Sequence, residues 1–301
     1  MFMIAILLDI ELFLCAARWI LRITKILHGE ATELMNSYKE HYRVCRDSFD
    51  KGDKSSPYSS VYELGVNLDL LELDRNYYNL VDKISQKCSP MFDSMEGCFE
   101  DRHAIRLNDW SSITELEQLA QIVMPQIENK VFHSNIKVEF VHPYRNKINN
   151  EEPEASWRWH YDDCPKEFIK FFLHLNDVSE DNGCFQYLSM KDNQIPIVES
   201  ARPSPWQRNK QVFPNSRVPK NVVETIIGQG GEIKNFTGPR GSYAILTPNI
   251  IHRATIPKPG TNPRDIIVFF MRPIMKKNEN YILGQSSSYK PERNVKQYLL
   301  D

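Results

Sequence analysis

The residues His160-Tyr161-Asp162, followed far downstream by His252 and then Arg264, constrain this chain more than any other feature. In an extended strand residues i and i+2 project to one face, so His160 and Asp162 point one way and Tyr161 the other. Ile250-Ile-His-Arg-Ala-Thr255 reads as a second strand with one inward histidine, and Arg264 opens a third apolar run, Asp265-Ile-Ile-Val-Phe-Phe-Met271. Two imidazoles and a carboxylate that meet from separate strands form a facial set suited to a ferrous ion, leaving positions open on its other side. A guanidinium on the next strand suits a bidentate clamp on the distal carboxylate of a dicarboxylic acid. The plain alternative makes His160 and His252 ordinary core or surface histidines and Asp162 a turn residue. It requires four residue types to coincide with the strand pattern by chance.

At 301 residues the chain is long for one domain but suits a β-barrel with helical decoration. A formal net charge of −2 and the absence of a long basic run leave no electrostatic footprint for nucleic acid. The six cysteines, Cys15, Cys45, Cys88, Cys98, Cys164 and Cys184, contain no CxxC pair. That argues against structural zinc and fits a reducing, cytoplasmic setting. Residues 1–17 are almost wholly apolar, with Asp9 and Glu11 interrupting, and Arg18, Arg22 and Lys25 follow at helical spacing. The order is wrong for a secretory signal, and the run is short for a span. A buried helix, a membrane-surface helix and an upstream extension stay open, and a non-spanning helix is preferred.

The period of the apolar residues divides the chain. Residues 1–30 are expected to be an apolar helix, and 31–134 a helical region that packs on a barrel. Residues 70–91 read as a helix stopped at Ser89-Pro90, and 114–131 as another. After Asn135 the pattern turns to short strands separated by Gly, Pro, Asn and Asp, which predicts an antiparallel double-sheet jelly roll over 135–301. Trp157-Arg-Trp-His-Tyr-Asp162 reads as one of those strands. A Pro-, Gln- and Asn-rich insert at about 190–239 reads as a lid. The fold class expected is thus α+β.

At His160-Tyr-Asp162, the turn Asp177-Val-Ser-Glu-Asp-Asn-Gly183, and Gly241, Pro248, His252 and Arg264, the chain resembles the phytanoyl-CoA dioxygenase family of Fe(II)- and 2-oxoglutarate-dependent oxygenases. The resemblance covers about 135–272 and implies a double-stranded β-helix core. It implies that His160, Asp162 and His252 ligate iron and that Arg264 binds the 2-oxoglutarate C5 carboxylate. The reaction implied consumes O2, releases succinate and carbon dioxide, and hydroxylates an unactivated C–H bond of a small or carrier-linked substrate. The family's Pro-Gly-Ser-His segment is replaced by Leu188-Ser-Met-Lys-Asp192, which leaves the substrate-side loop open. A non-catalytic jelly-roll metal- or ligand-binding protein is the alternative, because fold alone does not fix function.

Alternation along 170–176 sets Lys170, Phe172, His174 and Asn176 on one face. Phe172 is expected to pack on 2-oxoglutarate and Lys170 to line the same site. His142, Trp157 and His174 are the substrate-side candidates. Packing is the plainer role for Trp157 and His174, and a surface role is equally weighted for His142. Arg253 is expected to face away from the site, Arg272 to make a surface or terminal salt bridge, and Ser242 or Thr247 to add a hydroxyl. Nothing in the sequence names the substrate or the oligomeric state.

Overall fold

A computed structural model of the protein describes residues 38–49, 61, 64–95, 104–107, 110–148, 153, 155–198, 213, 216–277 and 279–282. The apolar N-terminal helix expected at 1–30 and the middle of the insert lie outside these residues. No helix among them is long and apolar enough to cross a membrane.

The helices are α1 (38–47), α2 (Arg75–Met95), α3 (Glu115–Ile127, running into a π-helical turn at Glu128–Phe132) and α4 (Lys220–Gly228). The strands of the larger sheet are β1 (Val66–Asn67), β2 (Ala104–Arg106), β3 (Asn135–Asn146), β4 (Ile169–His174), β7 (Tyr243–Leu246) and β9 (Asp265–Ile274). Those of the smaller sheet are β5 (Phe185–Ser189), β6 (Glu232–Phe236) and β8 (His252–Ala254). The larger sheet has the order β1-β7-β4-β9-β3-β2, the smaller β6-β5-β8, and all pairings are antiparallel. Isolated bridges from His160 to His252 and to Arg217 extend the smaller sheet. After β3 the chain crosses to the smaller sheet at His160, returns at β4, crosses for β5 and β6, returns at β7, crosses at β8 and returns at β9. This winding is the double-stranded β-helix of the expected α+β jelly roll.

Both faces of the larger sheet are covered, which is why β9 is buried along its whole length. On the outer face Val141, Phe171, Leu173, Ile245, Ile267 and Phe269 join Tyr77, Val81, Ile84 and Phe92 of α2 and Leu116, Leu119 and Val123 of α3 in one cluster. On the inner face Phe172, Leu246, Ile266 and Val268 meet Phe185 and Phe236 of the smaller sheet. A side-chain period of two therefore separates the packing surface from the inner cavity.

Several expectations need correction. α2 runs through Pro90 to Met95, because Cys88 and Phe92 on either side keep its buried stripe under the sheet; tertiary packing outweighs the one backbone bond that proline removes. The region expected to be helical contributes β1 and β2 to the larger sheet. Residues 157–162 are not a strand: 155–157 form a 3-10 turn, and only His160 bridges. The insert contains α4 and the sheet strand β6, paired with β5 from Phe185↔Phe236 to Ser189↔Glu232. Arg272 is buried rather than superficial, in an ion pair with Glu139 of β3 at 2.5 Å.

Two positions yield tests. Gly183 (φ 82°) ends the 3-10 turn Glu180–Asn182, and a Cβ there would lie 2.8 Å from Asn146 Nδ2, Pro257 Cγ and the Thr255 carbonyl. Gly183→Ala should lower stability by about 1–3 kcal/mol in urea unfolding, and an unchanged midpoint would contradict the crowding. His174 is fully buried, with its ring stacked on Phe236 at 4.2 Å and both ring nitrogens without a hydrogen-bond partner among the described residues. Burial, helped by nearby Arg264, pushes its pKa down from 6.5 to about 3. The unfolded chain takes up a proton that the fold refuses, so stability is complete above 6.5 and falls as pH drops from there toward 3. His174→Phe should flatten that acid loss when urea midpoints at about pH 5 and about pH 7.5 are compared; an equal loss in both proteins would contradict it.

Candidate metal centre

Alternate residues of the inner faces line a cavity of about 460 Å³. Arg106 comes from β2, Phe140, His142 and Tyr144 from β3, Lys170 and Phe172 from β4, and Val268 from β9. The smaller sheet adds Phe185, His252 and Ala254, while His160, Asp162 and Arg264 complete the polar wall.

The backbone fixes the three candidate ligands. His160 N–H donates to the His252 carbonyl at 2.9 Å, and His252 N–H donates to the His160 carbonyl at 2.8 Å. This reciprocal antiparallel pair sets the two rings side by side, with centroids 4.3 Å apart. Asp162 N–H donates to the Pro248 carbonyl at 3.1 Å, which holds the next inward position. Tyr161, between them, turns outward into a cluster with Leu188, Val218, Val223 and Ile251. Asp162 Oδ2 lies 3.6 Å from His252 Nε2, and one ligand atom from each of His160, Asp162 and His252 lies within 4.8 Å of the others.

The tautomers follow from the partners. His160 Nδ1 is 2.8 Å from the Arg158 carbonyl, and His252 Nδ1 is 2.8 Å from the Ile250 carbonyl. A carbonyl only accepts, so each Nδ1 carries the hydrogen and each Nε2 keeps its lone pair for a metal. Burial pushes the His160 pKa down to about 3, with His252 adding to the effect, and burial also lowers His252. Burial alone would raise the Asp162 carboxyl, but Lys170 and the two imidazoles override it and hold the group ionised. Two neutral imidazoles and an anionic carboxylate are the protonation states a divalent cation needs.

Lys170 Nζ donates to Asp162 Oδ2 at 2.5 Å, and the two side chains are 17% and 24% exposed. Lys170 thus lines the cavity as expected, but its ammonium rests on the candidate metal ligand.

Arg264 is wholly buried. Its Nη2 donates to Asn146 Oδ1 at 3.3 Å, whereas Nε and Nη1 have no partner among the described residues. The adjacent Asp265 gives it no counter-charge, because Asp265 is taken by Arg145 at 2.6 Å. Phe172 lies under the guanidinium, 5.2 Å from ring centroid to Cζ. An unmatched buried cation is costly, and an anionic ligand removes the cost.

His142 lines the cavity, with Nε2 3.1 Å from Arg106 Nη1. His174 packs behind Phe172, with ring centroids 6.1 Å apart, and is not on the cavity wall. Trp157 is buried, and the 3-10 turn gives its place on the wall to Ser156. Ser242 and Thr247 do not line the cavity either. Arg253 faces away, donating to Gln186 Oε1 at 2.8 Å and lying 4.6 Å over the Trp159 ring. The sequence reading missed Arg106, Phe185 and Asn146. Arg106 stands on a three-residue strand, too short for a periodic signal.

No protein-family model matches this chain, and no curated protein matches it in sequence. Among solved structures it is similar to HygX from Streptomyces hygroscopicus with nickel and 2-oxoglutarate bound, at 13% identity and a TM-score of 0.40 over 70% of this chain and 83% of that one. It is also similar to the epimerase SnoN in complex with Fe3+, alpha ketoglutarate and nogalamycin RO, at 11% identity and a TM-score of 0.45 over 77% of this chain and 95% of that one. EctD from S. alaskensis with bound Fe matches at 11% identity and a TM-score of 0.42 over 74% of this chain and 79% of that one. At these scores the functional reading rests on the geometry of the site itself.

Proposed function

We propose that this protein is an Fe(II)- and 2-oxoglutarate-dependent oxygenase of the phytanoyl-CoA dioxygenase type that hydroxylates a C–H bond of a small or carrier-linked substrate. The observation that carries the reading is Arg264. A buried guanidinium with two nitrogens unmatched among the described residues opens on the cavity that holds His160, Asp162 and His252.

In this reading His160, Asp162 and His252 hold the ion, an N2O set that suits ferrous iron with open positions for small ligands. Bound iron and 2-oxoglutarate together supply the dioxygen activation that couples release of succinate and carbon dioxide to oxidation of the substrate. Arg264 takes the distal carboxylate through its unmatched N–H groups, and Phe172 supports the chain of the acid from one side. Asn146, which donates to the Gly183 carbonyl at 2.8 Å, keeps the guanidinium in place. Lys170 fixes the Asp162 carboxylate and holds a positive charge beside it. Phe140, Phe185, Leu246 and Val268 make the remaining wall apolar, which keeps water from the reacting centre.

Anaerobic protein given Fe(II) and 2-oxoglutarate should develop a weak visible charge-transfer band that bleaches on admission of oxygen with release of succinate. A colourless mixture that binds iron and releases no succinate would favour the non-catalytic binding protein. Asp162→Ala should abolish Fe(II) binding in a titration. Arg264→Ala should weaken 2-oxoglutarate binding by about 10- to 100-fold, the loss of a charge-assisted pair, with little change in iron affinity. An unchanged co-substrate affinity in Arg264→Ala would remove the clamp.

A further inference from the structure

The insert between β5 and β6 adds a charge beside the metal centre that the iron and 2-oxoglutarate reading leaves without a role. Arg217 forms an isolated antiparallel bridge with His160. Tyr161 N–H donates to the Ser216 carbonyl at 3.2 Å, and Val218 N–H donates to the Trp159 carbonyl at 2.9 Å. These two bonds flank the 160–217 pair, which therefore sits at a non-hydrogen-bonded position, where opposite side chains lie closest. Residues directly opposite share a face of the sheet. The neighbouring residue fits that parity, because Val218 enters the outer cluster with Tyr161. Arg217 is thus on the inner face with His160 and His252, and the three form a row across the smaller sheet.

The electrostatics of this position call for an anion. Arg217 is half-buried, and its side chain makes no hydrogen bond or ion pair with a described residue. Burial pushes its pKa below the ordinary value, with Asp162 pulling the other way and Arg158 adding to the fall. Asp162 is already held by Lys170 at 2.5 Å, and in the reading above it also ligates the ion. A guanidinium beside a cation centre, with that carboxylate taken, is relieved by an incoming negative group. The distal carboxylate of 2-oxoglutarate is assigned to Arg264, beside Asn146. Arg217 is left for a third component. Its planar fork of donors suits a carboxylate or a phosphate. The rest of the space is apolar: Phe185 and Ala254 line the cavity on the same sheet as His252, with Leu246 and Val268 on the other sheet.

We infer that Arg217 is a substrate anchor beside the metal centre, and that the primary substrate is a largely apolar compound bearing a carboxylate or phosphate group that this guanidinium holds. The inference rests on the iron and 2-oxoglutarate reading. The apolar body lies along Phe185 and Ala254, with a C–H bond toward the three ligands.

The test uses the full chain loaded anaerobically with Fe(II) and 2-oxoglutarate. Straight-chain alkanoates, the matching alkyl phosphates and the neutral methyl esters of the same acids serve as probes. Thermal melting and the visible band are read together. One or both oxyanion series should raise the melting temperature and perturb the band at concentrations about 10-fold or more below the esters, and the preferred head group identifies the anion. Arg217→Gln should lose that preference while the band still forms at the wild-type 2-oxoglutarate concentration. Arg217→Lys, which keeps the charge, should keep part of the preference. Equal responses to acids and esters, no response to any oxyanion, or an anion preference that survives Arg217→Gln would each overturn the anchor. A weakened 2-oxoglutarate affinity in Arg217→Gln would overturn it too, by giving the guanidinium to the co-substrate. Failure of the band to form in the wild type would instead overturn the iron and 2-oxoglutarate reading.

Discussion

The reciprocal pair of backbone hydrogen bonds between His160 and His252 is the contact on which the rest of the site depends. The two residues are distant in sequence, and neither belongs to a long strand. Their exchange of both N–H···O bonds makes them directly opposite neighbours with side chains on one side of the smaller sheet. Because the bonds are made by the backbone, the imidazoles need no mutual attraction to stay together, and each is free to use its Nδ1–H on a carbonyl. That second bond decides which nitrogen faces the cavity. Asp162 then follows two residues later, held by the Pro248 carbonyl from the loop that leads into β8. The donor set is therefore organised by the crossing of the chain between the sheets.

The larger sheet solves a different problem. With helices on one face and a cavity on the other, each of its strands must be apolar toward the helices and more mixed toward the cavity. β4 shows the division. Phe171 and Leu173 enter the outer core, whereas Lys170 and Phe172 line the cavity. At the start of β9 one step of alternation separates two charges with opposite fates. Asp265 is matched by Arg145 from β3, and Arg264 is left with two nitrogens unmatched among the described residues. Had the register slipped by one residue, Asp265 would face the cavity and the guanidinium would be lost to it. In the proposed reading, the stability spent on this buried cation, unmatched among the described residues, is preorganisation for an anion.

Much of this was legible because it depends on periods of two. His160 with Asp162, Lys170 with Phe172 and His174, and the outward turn of Arg253 all follow from alternation, and a jelly roll follows from short strands between turn residues. What alternation cannot convey is pairing between distant segments. β2 is three residues long and surrounded by helices, so Arg106 carried no signal. The partners of Arg272 and Arg264, Glu139 and Asn146, come from β3 and are fixed only once β3 pairs with β9. Trp157 takes the plainer packing role and leaves the cavity wall to Ser156, because the 3-10 turn at Ala155–Trp157 breaks the period just before His160. Pro90 stopped the helix on paper, whereas the sheet below supplies the burial that carries α2 past it.

The central claim is that three side chains brought together by chain crossing hold one divalent ion, with the co-substrate between that ion and Arg264. Anomalous diffraction at the iron edge from anaerobic crystals grown with Fe(II) and 2-oxoglutarate measures this most directly. The account predicts one anomalous peak bounded by His160 Nε2, His252 Nε2 and an Asp162 carboxylate oxygen, with a carboxylate of 2-oxoglutarate against Arg264. A peak elsewhere, or an intact Lys170–Asp162 pair with no ion beside it at saturating iron, would contradict it.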